Sequence, residues 1–193
     1  MKKIIITLIS VFTLISLISC GGGGTQYKDA AQDKGSITWG PKEIKSTVDK
    51  MVTSLYAYLK DDWGKATFIE NRPIRNKTSE HIDTKMVTNE IVTNLIKKRI
   101  YFIDKDVRED TIKEIEMGLT GLIDPDSAVP LGELKSPNFY LYGDISENMR
   151  YVGGKQLQYL VVTLQLTQLR TGMVMWQDQK EFLKSTATKR VSF

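Results

Sequence analysis

From Phe139 onward, apolar residues alternate with more polar ones. Phe139, Leu141, Gly143 and Ile145 are interleaved with Tyr140, Tyr142 and Asp144, and Leu160, Val162, Leu164 and Leu166 with Val161, Thr163, Gln165 and Thr167. A period of two sends successive side chains to opposite faces of a strand, so these segments predict strands with one face buried. Gly153-Gly154 between them reads as a hairpin turn. Arg170-Thr171-Gly172 reads as a second turn, leading into a last strand from Met173 to about Leu183 that carries Trp176. Three strands joined by short turns make a meander, and its apolar face demands a covering layer.

The upstream residues supply that layer at a period near 3.6. Ile44, Val48, Met51, Val52, Leu55 and Leu59 share one face of a helix predicted over Glu43 to Lys60, with Pro41 just before it, where its missing N–H does no harm. A strand follows at Ala66 to Asn71, ended by Pro73. A second helix covers about Ser79 to Lys98 with Ile82, Met86, Ile91, Val92 and Leu95 inward, and a short strand covers Ile100 to Asp104. Asp106-Val107-Arg108-Glu109 resembles a capping box that opens a third helix, with Ile112, Ile115, Leu119 and Leu122 as its buried stripe. Asp124-Pro125-Asp126-Ser127 is a turn, and Ala128 to Lys135 reads as a short fourth helix capped by Ser127. The expected fold is α/β (α+β): a single two-layer domain whose mixed sheet of about five strands ends in an antiparallel meander and packs with about four helices.

The N-terminus addresses location. Lys2 and Lys3 precede the apolar run Ile4 to Ile18, which ends at Ser19-Cys20, the order of a secretory signal. This run of 15 residues is shorter than the roughly 20 that span a bilayer as a helix. Leu17-Ile18-Ser19-Cys20 resembles a lipobox, so residues 1–19 are expected to be cleaved and Cys20 to carry the lipid that anchors the chain to a bilayer. Each buried acyl carbon contributes about 0.8 kcal/mol, and two or three chains together hold a protein at a membrane. Gly21 follows Cys20 in place of the aspartate that retains many lipoproteins at the inner membrane, which favours the outer membrane, with the inner membrane and the cell surface as alternatives. Residues 20–36 form a lipidated end and a tether rich in glycine and polar residues, and 37–193 form one globular domain, frayed from about Lys184.

Charge and residue usage narrow the chemistry. Without Lys2 and Lys3, 25 basic residues face 23 acidic ones, a net of +2, so no nucleic-acid partner is implied. Cys20 is the only cysteine and His81 the only histidine, which excludes a Cys-His pair and a His-rich zinc cluster. The carboxylate pairs Asp61-Asp62, Glu109-Asp110, Glu114/Glu116 and Asp124/Asp126 fall at helix ends or polar faces and read as solvated surface. Neither Gly21 to Gly24 nor Gly153-Gly154-Lys155-Gln156 has the partners of a phosphate loop. No catalytic residue, cofactor or metal is expected.

The order of motifs resembles the LpoB-type family of outer-membrane lipoproteins that activate bifunctional penicillin-binding proteins. The resembling segments are Phe68 to Thr78 (FIENRPIRNKT), Lys98 to Asp104 (KRIYFID), Asn138 to Gly143 (NFYLYG) and Leu164 to Trp176 (LQLTQLRTGMVMW). The resemblance implies a non-enzymatic activator of peptidoglycan synthesis with a penicillin-binding protein as partner. The same architecture also resembles lipoproteins of outer-membrane secretion and assembly machines, the alternative function. Known activators of the family carry a long proline-rich tether, whereas this tether has 16 residues. That length spans at most about 55 Å fully extended and roughly 20 to 25 Å as a flexible coil. Arg72, Arg75, Asn76, Lys77 and Thr78 are the candidate partner-binding residues. Asn76 and Thr78 can also be read as a turn whose side chains bond backbone amides, and the three cations as either solvated charge or a docking surface for an acidic partner.

Overall fold

The computed structural model describes residues 29, 30, 34–36 and 38–187. The expected signal peptide, Cys20 and residues 188–193 lie outside the described residues. In chain order the elements are α1 (Pro41–Ala57), which continues into a π-helical stretch (Tyr58–Trp63), then β1 (Phe68–Lys77), α2 (Thr84–Lys97), β2 (Tyr101–Phe102), α3 (Lys105–Gly118), β3 (Phe139–Val152), β4 (Lys155–Gln168) and β5 (Val174–Ala187). The strands form one sheet in the order β2-β1-β3-β4-β5. β1 is parallel to β2 and β3, while β3, β4 and β5 run antiparallel as the meander.

The alternating residues behave as their period requires. Phe139, Leu141, Ile145, Val162, Leu164 and Leu166 are buried on one face, against Val48, Met51, Val52 and Leu55 of α1 and Val87, Ile91 and Leu95 of α2, and Leu160 is buried as well. Trp176 joins this layer from β5, its indole N–H donating to Ser54 Oγ at 3.1 Å. Both glycines of the β3–β4 turn have positive φ (56° and 72°), the backbone of a two-residue hairpin turn matched to strand twist. Gly143 is required for another reason: a Cβ there would lie 2.0 Å from the Thr163 carbonyl oxygen.

Several boundaries differ from the sequence reading, each for a local reason. β1 does not stop at Pro73 but runs to Lys77, with a register shift between Asn71 and Ile74. β2 pairs only with Phe68 and Ile69, so Pro73 occupies a stretch with no partner on that side, and its missing N–H breaks no ladder there. α2 begins at Thr84, because Asp83 caps it by accepting from the Met86 amide at 3.1 Å. Met86, expected inward, is exposed, and Val87 and Thr88 take the inward positions. α3 is capped by Asp104, two residues earlier than Asp106, through the amides of Asp106 and Val107 at 2.9 and 3.2 Å. β5 continues to Ala187, where Lys184 is tied to Glu43 at 3.3 Å and to the Thr38 carbonyl at 2.9 Å.

Two expectations fail outright. The fourth helix is absent: residues 128–135 are irregular, Gly132 has φ 84°, and Pro130 supplies no amide donor. The stripe of α3 is not buried either. Ile112, Leu119 and Leu122 are 41%, 67% and 82% exposed, and α3 buries none of its residues. Topology accounts for this. The crossover from β1 through α2 to β2 moves one way along the sheet, and the crossover from β2 through α3 to β3 moves back past β1. With both crossovers right-handed, their helices fall on opposite faces. α1 and α2 already cover one face together, so α3 is alone on the other.

Candidate functional site

The face opposite α1 and α2 carries the residues that alternate with the core. Glu70 and Arg72 of β1, Tyr140, Tyr142, Asp144 and Ser146 of β3, and Val161, Thr163, Gln165 and Thr167 of β4 stand here, mostly half-buried. Apart from α3, no helix among the described residues lies on it.

At its β1 end is a carboxylate that sequence reasoning missed. Glu70 is only 1% exposed, although it points away from the core that takes its neighbour Ile69. Its Oε1 lies 2.9 Å from Arg72 Nη2 and its Oε2 lies 3.1 Å from Arg108 Nη2, so two guanidinium groups neutralise one buried carboxylate. Neither contact meets hydrogen-bond geometry, and both are close ion pairs without aligned N–H donation. The Arg72 guanidinium also stacks on the Tyr140 ring, 4.2 Å from its centroid. The signal for this was an i, i+2 Glu-Arg pair on a strand, which places both on one face. What could not be read was that Arg108, 38 positions away from Glu70, reaches the same spot.

The five candidate residues separate into different situations. Arg72 is half-buried in the Glu70 cluster. Arg75 is exposed, in register with Asp144 of β3, and has no ion pair among the described residues. Lys77 pairs with Asp144 at 3.3 Å, and Ser146 Oγ donates to the same carboxylate at 2.9 Å. Asn76 and Thr78 shape the loop. Asn76 Oδ1 accepts from the Thr78 amide and hydroxyl at 3.0 and 2.8 Å, and Asn76 Nδ2 donates to the Glu80 carbonyl at 2.7 Å. Their side chains thus build the turn, which leaves Arg75 as the freest cation of the group.

The loop is fastened to the sheet end by carboxylates. Gln158 Nε2 donates to Glu80 Oε1 at 2.6 Å and to Glu147 Oε2 at 3.0 Å, and the Ser79 hydroxyl donates to Glu147 Oε1 at 2.8 Å. Burial pushes the Glu147 carboxyl up, but the hydrogen bonds from Gln158 and from the side chain and backbone of Ser79 outweigh it and hold the group below its usual value. The candidate residues of β1 therefore lead into a loop with a defined shape, and a defined shape lowers the entropy lost on docking.

The remaining chemistry-bearing groups are dispersed. His81 is exposed beside the loop, and the paired carboxylates of the sequence are exposed. Among the described residues, no cluster of His, Cys, Asp or Glu could hold a metal ion, and no helix is long and apolar enough to cross a membrane. What the open face presents is guanidinium and ammonium groups, the Asp144 carboxylate, two tyrosine rings, hydroxyls and the Gln165 amide.

Comparison with known proteins places the chain. Among curated proteins, no sequence matches it. Solved structures that it matches include the LpoB C-terminal domain from Salmonella enterica, at 15% identity and a TM-score of 0.41, covering 68% of this chain and 94% of that one. The LpoB C-terminal domain from Escherichia coli is 14% identical with a TM-score of 0.41, covering 72% and 94%. Lipoprotein GNA1162 from Neisseria meningitidis is 16% identical with a TM-score of 0.39, covering 62% and 83%. The family described as peptidoglycan-synthase activator LpoB matches residues 42–182, from the start of α1 to the middle of β5. Because that match takes in both helices of the core layer, four strands and the first part of the fifth, the chain belongs to the LpoB family of peptidoglycan-synthase activators.

Proposed function

We propose that this protein is a lipid-anchored, non-enzymatic activator that binds a bifunctional penicillin-binding protein and stimulates its peptidoglycan synthesis. The family match over residues 42–182 carries the reading. The open face supports it: a sheet surface with an exposed Arg75, a stacked Arg72–Tyr140 pair and a turn held by Asn76 and Thr78 suits a partner that presents acidic groups. Cys20, acylated, holds the chain at the outer membrane with the domain on the periplasmic side. The 16-residue tether holds the start of the domain within roughly 55 Å of the anchor, so the synthase or a part of it has to come to the domain there.

Crosslinking in intact cells followed by identification of the captured protein tests the partner. A penicillin-binding protein captured by the wild type and lost with Arg75→Glu is the expected result. Repeated capture of a secretion channel with no penicillin-binding protein contradicts it. The anchor has its own test. Cys20→Ala removes the acyl acceptor, and the chain is expected to lose its lipid and leave the membrane fraction unless the uncleaved signal retains it; the same processed, membrane-bound species as wild type contradicts lipidation.

A further inference from the structure

Two arginines share Glu70, and they are not equivalent. Arg72 comes from the same strand two residues on, while Arg108 comes from α3, a helix with no buried residue and no extensive packing on any other element among the described residues. A buried carboxylate served by one arginine alone would be stranded whenever that arginine left, at a cost that makes departure rare. Glu70 keeps Arg72, itself braced on Tyr140, when Arg108 leaves. The contact from α3 is a close ion pair without aligned donation, so little hydrogen-bond energy opposes its opening.

The chain on both sides of α3 fits movement about two ends. Before it, the Ile103 amide donates to the Ile69 carbonyl at 2.8 Å and pins the entry to β1, with Asp104 capping the helix immediately after. Beyond it, Gly121 at φ 78° and residues 122–136, mostly exposed and without helix or strand, return the chain to β3. Local stability follows buried apolar contact, and α3 has less of it than α1 or α2.

We propose that α3 is a displaceable cover on the open face of the sheet, latched by Arg108 to Glu70, and that its release uncovers the Glu70–Arg72–Tyr140 corner without disturbing the core. The device goes beyond the docking reading and stands whether or not a partner binds that corner. Because Arg72 remains in place, the uncovered corner keeps a neutralised carboxylate and a stacked guanidinium ready for contact.

Hydrogen–deuterium exchange on the intact mature chain, without any partner, tests it. Amides of 105–118 are expected to exchange at least about 10-fold faster than those of 84–97, as a locally opening unit does. Arg108→Gln, a change at a partly exposed helix position, is expected to speed exchange over 105–118 by about 5-fold, the weight of one weak ion pair, while 41–57 and 84–97 stay as in the wild type. Arg75→Gln, removing a cation from the same face that latches nothing, is expected to leave 105–118 unchanged. Protection of 105–118 equal to that of 84–97 overturns the proposal, as does an Arg108→Gln chain with wild-type exchange there, or an Arg75→Gln chain that speeds it as much as Arg108→Gln does.

Discussion

The two faces of the sheet are made by the same strands, in adjacent positions, and differ in almost everything else. On β3, Phe139, Leu141 and Ile145 are sealed under α1 and α2, while Tyr140, Tyr142 and Asp144 between them are half-open. On β4, the sealed residues are Leu160, Val162, Leu164 and Leu166, and the open ones are Val161, Thr163, Gln165 and Thr167. The covered face satisfies the hydrophobic requirement of a domain this size by itself, which frees the other from any need to be apolar. The open face instead holds its shape with side-chain pairs: Arg72 on Tyr140, Tyr142 with Thr167 at 3.1 Å, Lys77 with Asp144. On the proposed function, stability and recognition fall on opposite sides of one sheet, and most substitutions should affect one without the other.

The largest effect is expected where the two faces meet in the backbone itself. Gly143→Val puts a branched side chain where even a Cβ would sit 2.0 Å from the Thr163 carbonyl. A loss of about 3 kcal/mol or more, or no folded protein, is expected in denaturant titration. Next comes the sealed face: Leu164→Ala should cost about 2 to 5 kcal/mol, whereas Ile112→Ala on the exposed flank of α3 should cost less than about 1 kcal/mol. Equal losses would mean that α3 is part of the core and would break the comparison.

Acid sharpens it from another direction. Burial pushes the Asp178 carboxyl up, but hydrogen bonds from Ser54, from the Gln179 amide and from Lys50, together with the charge of Lys50, bring it below its usual value. Glu147 is lowered for the reasons given above. A carboxyl depressed in the folded state contributes stability that is present above its unfolded pKa, about 4, and is lost as pH falls through the folded value. Melting temperature is therefore expected to be flat from pH 7 to about 5 and to fall below about 4. Asp178→Asn should flatten that acid limb; an unchanged limb contradicts the assignment of Asp178 as one of its sources.

The smallest effect on stability is expected on the open face. Arg75→Glu should change it by less than about 0.5 kcal/mol while weakening partner binding and its association rate at low salt. Arg72→Glu is a different experiment. It would set a second carboxylate beside buried Glu70 and cost several kcal/mol, on the order of 3 to 5, so any loss of binding would be confounded with unfolding.

How far these features were legible depends on whether their cause is local. The meander was readable residue by residue, because a period of two and a Gly-Gly turn are properties of the chain itself. The first two helices were readable from their apolar faces, though not the start of the second, which Asp83 sets by capping. The stripe of α3 has the period of a buried helix and was read as one; its exposure follows from a crossover direction that no local pattern encodes. The fourth helix failed on Pro130 and Gly132, both visible, whose combined cost outweighed a stretch with little apolar surface to bury. At the candidate site, Asn76 and Thr78 were correctly seen as able to form a turn. The partnership of Glu70 with Arg108 was out of reach, because it is closed only by the fold.

The most direct test of the account is the rate of glycan polymerisation and cross-linking by a purified bifunctional penicillin-binding protein from the same cells, measured with and without the soluble domain, residues 37–193. Wild-type domain is expected to raise the rate in a saturable way, and Arg75→Glu to need a higher concentration for the same effect while melting as wild type does. A folded wild-type domain that leaves the rate unchanged at any concentration, with no binding to the enzyme, would contradict the proposed activity.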